Sequence, residues 1–462
     1  MPPLSKAALL ATLPPEPKLA PQAAAAKIVV LDDDPTGTQT VHGIPVLTTW
    51  EQSALEAELR APERCCYILT NTRAFTAPRA CAINRDIGQN LARAAATTGR
   101  AFTVISRSDS TLRGHFPAET DALVAALGDD FDGTLIIPAF FAGGRLTIGD
   151  THYVADGDTL TPAGETEFAR DASFGYRASN LRAWVEEKTG GRVPATDVLS
   201  ISLESLRSEG AQAIAIQLLG LARGGVAIIN AAAPGDLAVL THALAVTERA
   251  GRRYLFRTAA DFVAAYAAIT PRPMLTADEL RATDIASGGL LVAGSYVGKT
   301  SAQLDALFST CPGLTKIEVA VDQLLPTASR AVEEARCIRM AETEIAAGRS
   351  VALFTSRRLI TGSDSQQSLS IGEIVSASLV RIVSSLSSRP RWLVAKGGIT
   401  SSDTATRALG IKRALVLGQA QPGVPVWRTG PESKWPGLAY VVFPGNVGGP
   451  DALARLIAPL LI

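Results

Sequence analysis

The chain has 462 residues, of which 47% are apolar and 19% charged, enough for two hydrophobic cores and too apolar for extended disorder. Lys plus Arg equals Asp plus Glu at 44 each, which predicts no broad basic surface and argues against nucleic acid as a partner. Cys65, Cys66, Cys81, Cys311 and Cys337 lack C-x-x-C spacing and read as reduced thiols, and no run reaches the ~18–20 apolar residues of a membrane helix, so a cytoplasmic protein with no membrane partner is expected.

Residues 1–26 are rich in Pro and Ala without the apolar centre of a signal peptide, and read as an N-terminal extension. From Lys27 onward, short β-branched runs such as "KIVVLDDD", "CCYILTNTR", "AFTVISRSDS" and "GTLIIPAF" alternate with Ala/Leu-rich helical stretches. A polar, Gly-rich segment from about Thr147 to Asp197 interrupts the rhythm and predicts an insertion lining a site. The alternation restarts after the Pro-rich "ITPRPML" with "GGLLVAGS", "TKIEVAV", "VALFTS", "RWLVAKGG", "RALVLGQ" and "LAYVVFPG". The expected fold class is α/β, with two domains at 27–271 and 285–462, each a mostly parallel sheet flanked by helices.

Ligands of parallel sheets bind at the carboxyl ends of strands, so the polar tails of these runs are the candidates. In "VVLDDDPTG" a strand delivers Asp32, Asp33 and Asp34; three adjacent carboxylates repel one another and suit hydroxyl binding, Mg²⁺ or proton transfer better than stability. In "SRSDSTLRGHFPAE", Asp109 and Ser110 can bind hydroxyls and Arg113 offers a planar fork for an anion; the same spacing lets Asp109 and Arg113 pair with each other. In "AFFAGGRLTIGDTHYV", Arg145 follows two glycines and could clamp an anion. In the second half, "AGSYVGKT" lacks one glycine of a P-loop, although Gly298, Lys299 and Thr300 keep its order. "AKGGITSSD" and "FPGNVGGPDAL" add glycine-bearing turns between strand and helix, with Gly397, Gly398, Thr400, Gly445 and Asn446. Three such turns in one domain suit nucleotide phosphates.

As a set, "DDDPTG", "SRSDSTLRG", "PAFFAGGRLTIGDTHYV", "VAGSYVGKTSAQL", "AKGGITSSDTATRALG" and "PGNVGGPDAL" resemble the four-carbon acid sugar kinase family over nearly the whole chain beyond the extension. The resemblance implies an N-terminal domain for a small sugar acid, a C-terminal domain for ATP with Mg²⁺, and an active site in the cleft between them. It places Asp33, Asp34, Asp109 and Arg113 at the sugar acid; the residues themselves add Ser110 and Arg145 as further candidate ligands, and Asp109 or Asp33 is the candidate to take the hydroxyl proton. Ser295, Gly397, Gly398, Ile399, Thr400 and Gly445 fall at the nucleotide, the Gly-Lys-Thr match becomes fortuitous, and a homodimer is admitted. Ile399 stands where relatives often carry an acid. The competing readings are a P-loop NTPase using Lys299 and Thr300, and a binding protein without turnover.

Overall fold

The computed structural model describes residues 4–128, 130–295, 298–358, 360, 365–445 and 447–461. The chain forms two compact units, Met1–Val41 with Thr49–Pro271, and His42–Thr48 with Arg272–Ile462.

In the first unit seven strands lie side by side in the order Leu199–Ile201, Gly225–Ile229, Gly133–Ile137, Tyr254–Thr258, Phe102–Arg107, Lys27–Asp32 and Cys65–Leu69. Every neighbouring pair is parallel. A parallel sheet is covered on both faces, so its strands need no polar alternation; Cys65–Leu69 is buried at all five positions. The covering helices supply apolar stripes. Along Ala77–Thr98 the buried positions include Ala80, Ile87, Leu91 and Ala94, the spacing of one helical face. From Lys27–Asp32 the chain moves to Cys65–Leu69 on one side, then crosses to Phe102–Arg107 on the other. The loops leaving Asp32 and Arg107 therefore diverge, and a crevice opens at this topological switch point.

The interruption expected near Thr147–Asp197 is a small antiparallel sheet, ordered Leu4–Ser5, Thr159–Pro162, Thr151–Asp156, Arg145–Ile148, followed by the helix Leu181–Lys188. The N-terminal residues pack on the first unit: the Arg207 guanidinium donates to Pro14 O at 2.8 Å and Gly235 N donates to Glu16 Oε1 at 2.9 Å.

The second unit orders its strands Pro45–Leu47, Arg413–Gln421, Val424–Thr429, Ala439–Phe443, Leu393–Lys396, Leu290–Ala293, Val351–Thr355 and Thr315–Val319. The last five are parallel to one another, as the alternation predicts. The first three pair antiparallel, because "RALVLGQAQPGVPVWRT" is a hairpin turning at Pro422–Gly423 and not a further strand–helix step. Trp392 is fully buried in this unit's core, where truncation to Ala would cost ~3–5 kcal/mol. Here Leu290–Ala293 is flanked by strands reached in opposite directions, Val351–Thr355 and Leu393–Lys396. Its carboxyl end is a second switch point.

Candidate functional site

At the first switch point the three consecutive aspartates turn to different partners. Asp32 is buried and accepts from Arg107 Nη1 at 3.2 Å; burial pushes its carboxyl up to about 7, against the pull of Arg107. Asp34 accepts from Thr36 N at 2.7 Å and pairs with Arg73 Nη2, and against its burial these partners hold its carboxyl low. Asp33 lies between them, 3% exposed. Its Oδ2 accepts from Ser108 Oγ at 2.5 Å, while Oδ1 has no hydrogen-bond partner and Arg73 Nη2 stands 4.0 Å away. Burial pushes the Asp33 carboxyl up, with Arg73 opposing.

Arg73 organises this centre. It sits in the single turn of 3₁₀ helix Thr72–Ala74 after the strand Cys65–Leu69, and its Nη1 pairs with Asp109 Oδ1 at 3.2 Å. Asp109 Oδ2 in turn accepts from Arg113 Nε at 2.7 Å, so the pairing that the spacing allows is realised. Against the cost of burial, Arg73, Arg113 and Thr111 hold the Asp109 carboxyl well below the usual range. The loop is fixed from behind: His152 Nε2 donates to Ser110 O at 2.8 Å, while Thr147 Oγ1 donates to His152 Nδ1 at 3.0 Å. Burial depresses His152 to about 4, which keeps the ring neutral. Gly114 adopts φ +124°, and a Cβ there would stand 2.7 Å from Arg257 Nη2 and 2.8 Å from Ser108 Oγ; no other residue fits.

Arg113 and Arg145 share one aromatic ring, with guanidinium carbons 5.1 and 5.6 Å from the Phe168 centroid. Arg113 also approaches Asp171, at 3.7 Å. Among the described residues Arg145 has no carboxylate partner; its Nη1 donates to Gly143 O and its buried Nε donates to nothing. Burial lowers its basicity. Three arginines thus gather around Asp109, and the one least satisfied is Arg145. Every residue expected at the sugar acid, namely Asp33, Asp34, Asp109, Ser110, Arg113 and Arg145, lies in this connected set.

At the second switch point the three glycine turns meet. Gly294 stands so close to Thr400 that an added Cβ would be 2.6 Å from its Oγ1, and one on Gly397 would be 3.5 Å from Ser295 Cβ. Gly397 N donates to Phe443 O at 2.9 Å, and Gly397 takes φ +111°, a conformation open to glycine. Lys396, fully buried, donates to Pro444 O at 2.7 Å and to Gly445 O at 3.0 Å, which ties the second turn to the third. Burial, with the nearby Lys299 charge, depresses the Lys396 ammonium to about 8. Gln303 Nε2 donates to Val447 O at 3.0 Å and Gly449 O at 2.9 Å, clamping the third turn to the helix Gly298–Thr310. Ser295, Gly397, Gly398, Thr400 and Gly445 are thereby brought together, and Ile399 projects outward at 64% exposure. Tyr296, Val297 and Asn446 lie outside the described residues.

The strand and helix that flank a P-loop are present, with Lys299 and Thr300 in the helix's first turn. The neighbouring strands, however, end in Thr355–Ser356–Arg357 and in Lys396–Gly397, cationic where a P-loop fold places a magnesium-binding Asp. Asp322 is exposed and follows Thr315–Val319, a strand not adjacent to Leu290–Ala293. Sequence reasoning missed Arg73, Lys396 and Arg357. Arg73 and Lys396 stand in the polar tails of quoted strands, "CCYILTNTR" and "RWLVAKGG", so the strand-end rule already contained them; Arg357 lies one residue beyond "VALFTS" and was left out.

Residues 28–266 match the sugar-binding N-terminal domain and residues 290–453 the nucleotide-binding C-terminal domain. The chain is 27% identical over 372 residues to a 3-oxo-tetronate kinase of Pseudomonas fluorescens, covering 78% of each protein. It is also 27% identical over 223 residues to a D-erythronate kinase of Heliobacterium modesticaldum, a match spanning 47% of this chain and 46% of that enzyme. Among solved structures, a chain from Salmonella typhimurium LT2 superposes with a TM-score of 0.65 at 18% identity, covering 93% of this chain and 98% of that one. A Haemophilus influenzae protein of family DUF1537 gives 0.63 at 16% identity, covering 94% and 100%. These structures share the fold. With both domains matched in order along one chain, this protein belongs to the four-carbon acid sugar kinase family.

Proposed function

We propose that this protein transfers the γ-phosphoryl group of ATP to a hydroxyl of a four-carbon sugar acid, in the tetronate or 3-oxo-tetronate class. The observation that carries the reading is the contrast at the first centre. Asp34 and Asp109 are saturated by arginines, while Asp33 keeps a buried oxygen without a hydrogen bond, and Arg145, which faces the Asp109 charge, makes no ion pair among the described residues. A small hydroxy acid supplies both missing partners: its carboxylate for Arg145 and its hydroxyl for Asp33. Asp33 then accepts the hydroxyl proton. Asp109, held ionised by Arg73 and Arg113, binds and orients and is a poor proton acceptor. Arg113 and Ser110 complete the acid's contacts.

In the second unit the turns at Gly294–Ser295, Gly397–Thr400 and Gly445 present backbone to the nucleotide, and no acidic side chain stands in the first turn of Gly298–Thr310 to repel phosphate. Among the described residues no group of three or more His, Cys, Asp or Glu is arranged to hold a metal, so Mg²⁺ would be carried chiefly by the phosphates, whose charge it offsets. Catalysis rests on positioning and charge stabilisation.

A coupled ADP-release screen over four- and five-carbon sugar acids and their 3-oxo forms tests this. Turnover confined to four-carbon acids supports the reading. ATP binding without ADP release for any acid would leave a binding protein without turnover in its place.

A further inference from the structure

Arg357 follows the strand Val351–Thr355 by two residues, next to the Gly294–Ser295 turn, where Thr355 Oγ1 donates to Gly294 O at 3.2 Å. Its guanidinium spans that turn. Nη1 donates to Ser295 O at 2.6 Å, and Nη2 and Nε donate to Ser301 Oγ at 2.7 and 3.2 Å. Three of its five N–H groups are engaged, which leaves one on each terminal nitrogen. Among the described residues it makes no ion pair; burial lowers its basicity, with the charges of Asp305 and Glu318 opposing.

The surroundings deepen the imbalance. Ser301 belongs to the first turn of Gly298–Thr310, the positive end of that helix, and no acid stands there. Lys299 is in the same turn, and its charge reaches Lys396 on the neighbouring strand end. In that turn the Thr300 hydroxyl is buried without a hydrogen-bond partner. A half-buried arginine held against a helix N-terminus, with the charges of Asp305 and Glu318 acting on it but no ion pair among the described residues, gains little for the fold by itself. The arrangement becomes favourable when a multiply charged anion lies along the turn.

We propose that Arg357 is a phosphate-binding residue of the nucleotide centre, its two remaining N–H groups ligating non-bridging oxygens of the phosphate chain. This rests on the reading that the second unit binds ATP. The hydrogen bonds to Ser295 and Ser301 fix the planar fork in advance, so little side-chain freedom is lost on binding.

The test is equilibrium binding of ATP and of adenosine, which lacks phosphate, to the full chain and to Arg357→Gln and Arg357→Lys. The Gln variant should weaken ATP by roughly 10- to 100-fold, the loss of a charged hydrogen-bonded partner, with adenosine affinity unchanged. Lys keeps the charge and loses the fork, so it should fall between. Adenosine affinity also reports folding, and should the Gln variant not fold, the Lys variant carries the same comparison. ATP affinity within twofold of wild type would overturn the proposal. So would an equal loss for adenosine, which marks a residue that merely shapes the turn. Wild-type protein that binds no ATP would overturn the kinase reading itself, a result visible before any variant is compared.

Discussion

Arg73 Nη1 lies 3.2 Å from Asp109 Oδ1, and the same guanidinium pairs with Asp34 and stands 4.0 Å from Asp33. One cation therefore sets the charge of three carboxylates. In Arg73→Met these little-exposed carboxylates would face one another without their shared cation. A destabilisation of ~3–5 kcal/mol is expected in denaturant melts, with the KM for the sugar acid raised and ATP affinity retained. A variant as stable as wild type would show that the aspartates do not depend on Arg73.

Asp33 and Asp109 should separate kinetically. Asp33→Asn removes the proposed proton acceptor and should lower kcat by about 10²–10⁴-fold with a small change in KM. Asp109→Asn, which loosens Arg73 and Arg113, should act mainly on the KM for the acid. Interchanged effects in steady-state assays would exchange the two assignments.

His152 predicts a pH dependence of stability. Its folded value of about 4 lies below the ordinary 6.5, so the unfolded chain binds the proton first as pH falls. The contribution is complete above pH 6.5 and is lost between 6.5 and 4, on the order of 3 kcal/mol in total. His152→Gln can still donate to Ser110 O and cannot titrate. Its stability, followed by urea unfolding from pH 7 to 4, should decline less steeply than that of wild type.

Lys396 predicts an alkaline limit on nucleotide binding. The ammonium that joins Pro444 and Gly445 to its own strand discharges near pH 8, so ATP affinity should fall as pH rises through that value. In Lys396→Met affinity should be lower, by ~10-fold or more, and flat across this range. Lys299→Ala removes the neighbouring charge that helps depress Lys396, and should move the midpoint upward while changing affinity at neutral pH only a few-fold. A collapse of ATP affinity in Lys299→Ala would favour the P-loop reading.

The β–α alternation, the polar strand ends and the glycine turns were all legible, because each is a local pattern of burial or backbone conformation. Gly294, Gly397 and Thr400 could be grouped from sequence, since turns after parallel strands gather at one edge, while Ser295 joined them only through the family resemblance. The hairpin at Pro422–Gly423 was not legible, because "RALVLGQ" is apolar enough to pass for one more strand of the alternation, although its burial in the structure alternates along Arg413–Gln421. Nor was the difference between Asp33 and Asp109, which depends on the placement of Arg73 from another strand end. A row of carboxylates announces that cations must come, without saying which acid they leave unmatched.

The chain reaches the second unit twice, first at His42–Thr48 and again at Arg272. The early visit is brief but supplies Pro45–Leu47, which covers one border of Arg413–Gln421. A fragment cut at Arg272 would thus be missing a structural strand donated from far upstream, and its bare border would invite self-association. The nucleotide-binding half is a unit of packing without being a unit of inheritance. A gene fusion or truncation that treats Pro271 as a seam should yield protein that expresses poorly, unless the His42–Thr48 segment is supplied as well.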